Sequence, residues 1–196
     1  MTKSRLEAFS DGVFAIIITI MVLELRAPHE MDFGALRPLT GVFLSYVLSF
    51  VFLGIYWNNH HHMLHAVRKI SGGNLWANLH LLFWLSLIPF VTAWMGENGF
   101  AAAPVALYGA VLLCAALAWI VMQTSLIRCQ APGSILAQAV GIDIKGKASI
   151  VCYVIAIATA ASGWPSVACA LYITVAIMWL VPDRRIERVL ADRAGD

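Results

Sequence analysis

Charge is scarce in this chain. Asp, Glu, Lys and Arg make up 12% of its 196 residues, against about a quarter in ordinary soluble domains, while 61% are hydrophobic. A mean hydropathy of +0.80 points the same way. This balance excludes a soluble domain with a single anchor and leaves an integral membrane protein with lipid as its solvent. A net charge of +2 is too small to point to nucleic acid. Cysteine patterning is missing as well. Cys114, Cys129, Cys152 and Cys169 form no C-x-x-C pair, and three of them stand in apolar segments, where Cys behaves as a small hydrophobe. No disulfide frame and no cysteine metal site are expected. The first apolar run is preceded by acids as well as bases and is followed by no small-x-small cleavage site, so it does not read as a cleavable signal peptide. Catalytic motifs are missing too. There is no G-x-S-x-G, no Ser or Cys with an obvious base, and no phosphate-binding glycine loop, since Gly72-Gly73 reads as a turn. The potassium-filter pattern T-V-G-Y-G is also not found. Neither an enzyme nor a protein cofactor is expected.

What the chain does have is apolar length. A span needs roughly 20 mostly apolar residues to cross about 30 Å of hydrocarbon. Six segments qualify, at about 8–25, 40–63, 76–96, 103–127, 147–164 and 166–182. The expectation is an all-α membrane protein, one six-span domain over 1–196. Ser162-Gly163-Trp164-Pro165-Ser166 marks a tight turn between the last two spans. The polar connection 128–147 has room for a short interfacial helix. Eleven of the thirteen basic residues fall at the N-terminus, in the 2–3 and 4–5 loops and in the C-terminal tail. The positive-inside rule then places both termini in the cytoplasm, as an even number of spans requires.

Polar groups cluster at one depth. On an ideal helix Ile16, Thr19, Ile20 and Leu23 share a face, while Asp11, Ala15, Ile18 and Val22 form another stripe. A carboxylate this near a span either sits among headgroups or has a protein partner. Span 2 ends in YWNNHHHMLHAVRK, with His60, His61, His62 and His65, and Trp57, His61 and His65 fall on one face. Two His at i, i+4 can bind a metal, but only His29 and His80 remain elsewhere, so a histidine-rich di-iron set cannot be filled, and no H-E-x-x-H is present. No fixed protein-bound metal is expected. Asn78 and His80 of span 3 lie at the depth of Asp11 and the histidines, so spans 1 to 3 offer partners to one another, and Asp11 is expected in a buried network. Pro89 should kink span 3. Spans 4 to 6 carry few polar groups and read as scaffold.

Arg5-Leu6-Glu7-Ala8-Phe9-Ser10-Asp11 fits an R-x-x-x-F-S-D signature, and with it the chain resembles the transmembrane protein 175 family of potassium channels. GVFAIIITIMVLEL looks like the first helix of that family, the Trp57 to His62 segment like its second, and NLHLLFWLSLIPF like its third. The resemblance is strongest over residues 5–95. It implies a prokaryotic single-repeat form in the inner (plasma) membrane, assembled as a homotetramer with the pore lined by helix 1 of each subunit and potassium as the permeating ion. Animal members carry two repeats and dimerise. Carried over by position, the hydrophobic constriction is Ile16, with Ile20 and Leu23 further along, and Thr19 is the threonine beside it. Arg5, Phe9, Ser10 and Asp11 would bond to spans 2 and 3, with Trp57, the histidines and Asn78 as partners; which of His60, His61 and His62 takes the family role stays open. The expected activity is a leak-type potassium channel of moderate selectivity. Two other readings compete: a proton-coupled secondary transporter using Asp11 and the histidines as a relay, and an assembly protein whose polar cluster glues helices.

Overall fold

The computed structural model describes residues 2–131, 134, 136 and 143–180, and among these the secondary structure is entirely helical. Helix α1 spans Lys3–Val22, α2 Thr40–His65, α3 Gly72–Ser86, α4 Ile88–Glu97, α5 Ala102–Cys129, α6 Ile144–Ala161 and α7 Pro165–Leu180, with a 3-10 turn over Phe33–Leu39 leading into α2. Most of the expected connection 128–147, the end of the sixth span and the basic tail from Arg184 to Arg193 lie outside the described residues.

Among the described residues, four helical segments are long and apolar enough to cross a membrane: Phe33–His65, Gly72–Glu97, Ala102–Cys129 and Ile144–Ala161. The first helix starts five residues earlier than its apolar run, because Lys3, Arg5 and Glu7 are good helix formers that extend it into polar surroundings. The charges in that first half keep α1 from matching a plain lipid span by composition.

Span 3 is interrupted at Leu87, where the expected proline effect falls. Pro89 has no N–H for the Leu85 carbonyl, so α3 closes at Ser86 and α4 begins at Ile88. The Leu87 N–H takes up the orphaned end, facing the Leu85 and Trp84 carbonyls. Ser71 starts α3 with a capping box shared with Asn74. Gly163, at φ +88°, makes the turn between α6 and α7.

Helix α5 packs against α3, α4 and α6, and α6 in turn against α7; α2 packs on α4 and α7, and α1 leans on α2, α3 and α4. The α2–α4 contact is close. A Cβ on Gly41 would stand 2.9 Å from the Gly96 carbonyl oxygen, and one on Gly96 would stand 2.7 Å from the Val42 Cα. Small residues let two backbones approach where lipid supplies no hydrophobic drive. Below that contact Ser49 hydrogen-bonds with Thr92 at 2.6 Å and Tyr108 at 3.0 Å, joining α2, α4 and α5 in the buried interior.

Candidate functional site

Helix α1 has two unlike faces. Leu6, Ser10, Phe14, Ile17 and Met21 recur every three or four residues and are buried against the bundle. On the other side Ile16 is 58% exposed, Ile20 43% and Leu23 73%. Thr19 shares that exposed side, and its hydroxyl donates back to the Ala15 and Ile16 carbonyls at 2.9 and 3.0 Å. Its proton is thus spent on the backbone and its oxygen lone pairs remain free to accept. Leu23 stands just past the helix, at its C-cap. Val13, Ile16 and Ile20 also border an open groove whose far wall is Pro89, Phe90 and Trp94.

One amide anchors the buried face. Asn78 of α3 donates through Nδ2 to Ser10 Oγ at 3.0 Å, and its Oδ1 lies 2.8 Å from His60 Nε2. A carbonyl oxygen only accepts, so His60 carries its proton on Nε2 in this pairing. Ser10, Asn78 and His60 are all buried, and the Phe14 ring meets His60 edge-on at 5.5 Å. Three helices are thereby joined at one point, with both hydrogen-bonding ends of the amide used. Of the four adjacent histidines it is His60 that turns inward. His61 and His65 lie on the exposed side of α2, His61 stacking on Trp57 with ring centres 6.1 Å apart, and His62 is half-buried.

Asp11 departs from the expected buried network. It is exposed on the protomer, and its Oδ1 accepts a hydrogen bond from Trp57 Nε1 at 2.9 Å. The reason is rotational: Ser10 occupies the inward position of that turn, and the next residue lies about 100° away around the helix. Arg5 and Phe9, expected to bond with spans 2 and 3, are exposed and make no side-chain hydrogen bond among the described residues, because Leu6 takes the inward position of their turn. His80 stands apart as well, facing outward and accepting from Trp84 Nε1 at 3.0 Å. At the start of α1, Lys3 pairs with Glu7 at 3.6 Å and donates to the His65 carbonyl at 3.3 Å.

The Ser49–Thr92–Tyr108 cluster is not among the sequence expectations, because its members are single hydroxyls scattered over three otherwise apolar helices. A signal existed. Gly41, Ser45 and Ser49 stand four residues apart, one stripe of small residues along α2. Among the described residues no group of three or more His, Cys, Asp or Glu is placed to hold a metal.

Comparison with known proteins agrees on one family. Residues 5–89 match the family model described as endosomal/lysosomal potassium channel TMEM175. The chain is 50% identical over 192 residues to a potassium channel of Chryseobacterium sp. (strain P1-3), covering 98% of this chain and 100% of that one. It is 35% identical over 83 residues to the human endosomal/lysosomal proton channel TMEM175, covering 36% of this chain and 16% of that one. Among solved structures it resembles the crystal structure of a lysosomal potassium-selective channel TMEM175 homolog from Chamaesiphon minutus, with a TM-score of 0.76, 25% identity, and coverage of 92% of this chain and 97% of that one.

Proposed function

The chain belongs to the TMEM175 family, and from that premise we propose that it is a potassium channel whose pore is lined by α1 of each subunit in a homotetramer. The observation that carries the pore assignment is the apolar face of Ile16, Ile20 and Leu23, left uncovered on the protomer while the opposite face is buried. Ile16 forms the narrowest ring, Thr19 lies beside it, and Ile20 and Leu23 extend the neck. Four copies of one apolar side chain around an axis make a constriction that can dewet and close. When open, it makes an ion shed part of its water. Potassium holds that water less tightly than sodium, so the barrier favours potassium, with less discrimination than a carbonyl filter provides.

The remaining parts support this neck. Asn78, His60 and Ser10 hold α1 by its buried face, and Trp57 holds Asp11. Spans 1 to 6 form one channel domain with both termini in the cytoplasm of a prokaryotic cell and the domain in its inner membrane. In favour of that orientation, Lys3, Arg5, Arg68, Lys69, Arg128, Lys145 and Lys147 stand at one end of the helices and Arg26 and Arg37 beyond the other. The permeant potassium ion is the only ligand the function needs. A proton-coupled carrier is disfavoured because the polar contacts at Asp11, Ser10, His60 and Asn78 lie at one end of the helices, and the deeper Ser49 cluster has no charged member.

Purified protein in planar bilayers tests the reading. Potassium currents should appear without any proton gradient, with a reversal potential that follows the potassium gradient over the sodium gradient. Transport that required a proton gradient would replace the channel with a carrier.

A further inference from the structure

A second feature lies away from α1, at the end of the bundle where α5 finishes and α3 begins. One stripe of α5 changes character as it runs towards that end: Ile120 and Val121 are apolar, Thr124 and Ser125 carry hydroxyls, and Arg128 carries a charge in the last turn. These residues share a face at i, i+4 and i+8, and the stripe from Ile120 to Arg128 rises about 12 Å. They line an open cleft whose facing wall is Ser71, the cap of α3. The cleft is built rather than incidental. Asn74 donates to Ser125 Oγ at 2.8 Å and accepts from Ser71 Oγ at 2.9 Å, so both hydroxyl-bearing walls are tied together. Gln130 clamps the neighbouring loop, accepting from the Arg68 and Lys69 backbone at 3.1 and 3.3 Å and donating to the Lys69 carbonyl at 2.8 Å.

Among the described residues the charge around the cleft is basic, and no carboxylate lines it. The acids described at the same end are engaged elsewhere: Glu7 with Lys3, Asp11 with Trp57, and Asp143 with the Gly146 N–H that it caps. Arg128 is exposed, and its guanidinium has no partner among the described residues. A guanidinium over two hydroxyls over an apolar wall repeats, in order and spacing, the phosphate, glycerol oxygens and acyl chain of a phospholipid standing in one leaflet.

We propose that this cleft binds an anionic phospholipid of the leaflet that meets the α2–α3 loop. Its phosphate pairs with Arg128, its glycerol oxygens accept from Thr124 and Ser125, and one acyl chain lies along Ile120 and Val121. Arg68 and Lys69, exposed on the clamped loop, add attraction for a net negative headgroup. The lipid bridges the start of α3 to the end of α5, one turn from the Asn78 that anchors α1. The proposal rests on the membrane-spanning reading above but not on ion conduction.

Native mass spectrometry of the full channel, released from detergent after incubation with phosphatidylglycerol or phosphatidylethanolamine of matched chains, tests it. The wild type should retain more phosphatidylglycerol than phosphatidylethanolamine. Arg128→Gln should lower phosphatidylglycerol retention about five-fold, the effect of one basic residue at a charged surface. Val121→Trp, which fills the acyl wall without touching charge, should also lower it, and Arg37→Gln at the opposite end should not. Equal retention of the two lipids, or wild-type retention in both Arg128→Gln and Val121→Trp, overturns the site. Full displacement by excess glycerol 3-phosphate also overturns it, because a soluble phosphate would then be the occupant. Flux is not read in any arm, so a failure here leaves the channel reading standing, and a channel that failed to conduct would leave this binding standing.

Discussion

At the scale of single residues, the exposed apolar face of α1 and its buried anchor separate cleanly. Ile16 is half open on the protomer and supports no packing that the bundle needs, so changing it should alter permeation more than folding. In the proposed tetrameric pore, Ile16→Asn should hydrate the neck four times over, raise conductance and move the reversal potential in mixed potassium and sodium towards a non-selective value. Unaltered potentials in assembled Ile16→Asn and Ile20→Asn channels would remove this face from the pore. Asp11 is different. Because it is exposed and accepts from Trp57 Nε1, its role within the protomer is that of an acceptor more than of a buried charge. Asp11→Asn keeps an acceptor and should give near-normal assembled yield, whereas Asp11→Ala and Trp57→Phe should each lower it. Their double variant should cost no more than either alone, by about 0.6 kcal/mol or somewhat over, the range of interhelical hydrogen bonds in membranes. Fully additive losses in thermal melting of the assembled protein would show that the two side chains act separately.

At the scale of elements, the α2–α4 contact is the seam that holds the second half of span 3 in place. The interruption at Leu87 loosens α4 from α3, so packing against α2 helps to set its position. Gly41 and Gly96 allow that packing, and the atoms a Cβ on Gly96 would strike include backbone of α2, which cannot swing away as a side chain can. Gly96→Ala should therefore separate the helices and destabilise the protein by about 1–3 kcal/mol, as overpacking does elsewhere. The melting temperature of the variant measures it. A Gly72→Ala control has open space at its Cβ and should melt near the wild type, apart from the small change in helix propensity. Because α4 also forms the far wall of the groove beside Ile16 and Ile20, the Gly96 variant should disturb conductance along with stability.

At the scale of the whole molecule, the placement of charge sets the direction in the membrane. Arg68 lies on the loop between α2 and α3, and Glu97 ends α4 at the opposite end of span 3. Single cysteines placed at these two positions, in a background without Cys114, Cys129, Cys152 and Cys169, should react with a membrane-impermeant thiol reagent from opposite sides, Arg68 from the cytoplasm. Labelling of both from one side would overturn the span order and the pore direction together. The family likeness bears on scale as well. The match to the family model covers 5–89, the stretch that carries the R-x-x-x-F-S-D signature and the Ser10–Asn78–His60 contact, while the bacterial relative matches over nearly the whole chain.

Some of this protein followed from the order of residues alone. Apolar length and charge placement determine that the chain is helical and belongs in a membrane, since hydrocarbon admits only segments that satisfy their own backbone. The 100° step of a helix is enough to group Ile16, Thr19, Ile20 and Leu23 on one side. The loss of an N–H at Pro89 is enough to disturb span 3. Tertiary structure decided the rest. The step between residues sets their angles relative to one another on α1, but not how the helix is turned against its neighbours, and that rotation put Ser10 inside and Asp11 outside. Four histidines at the end of α2 are chemically alike; only the depth and crossing of α3 selected His60, because that ring alone comes within 2.8 Å of Asn78. Ser49, Thr92 and Tyr108 stand far apart in the chain and become one polar cluster only when α2, α4 and α5 close on each other, driven by the need of buried hydroxyls for partners in a solvent that offers none.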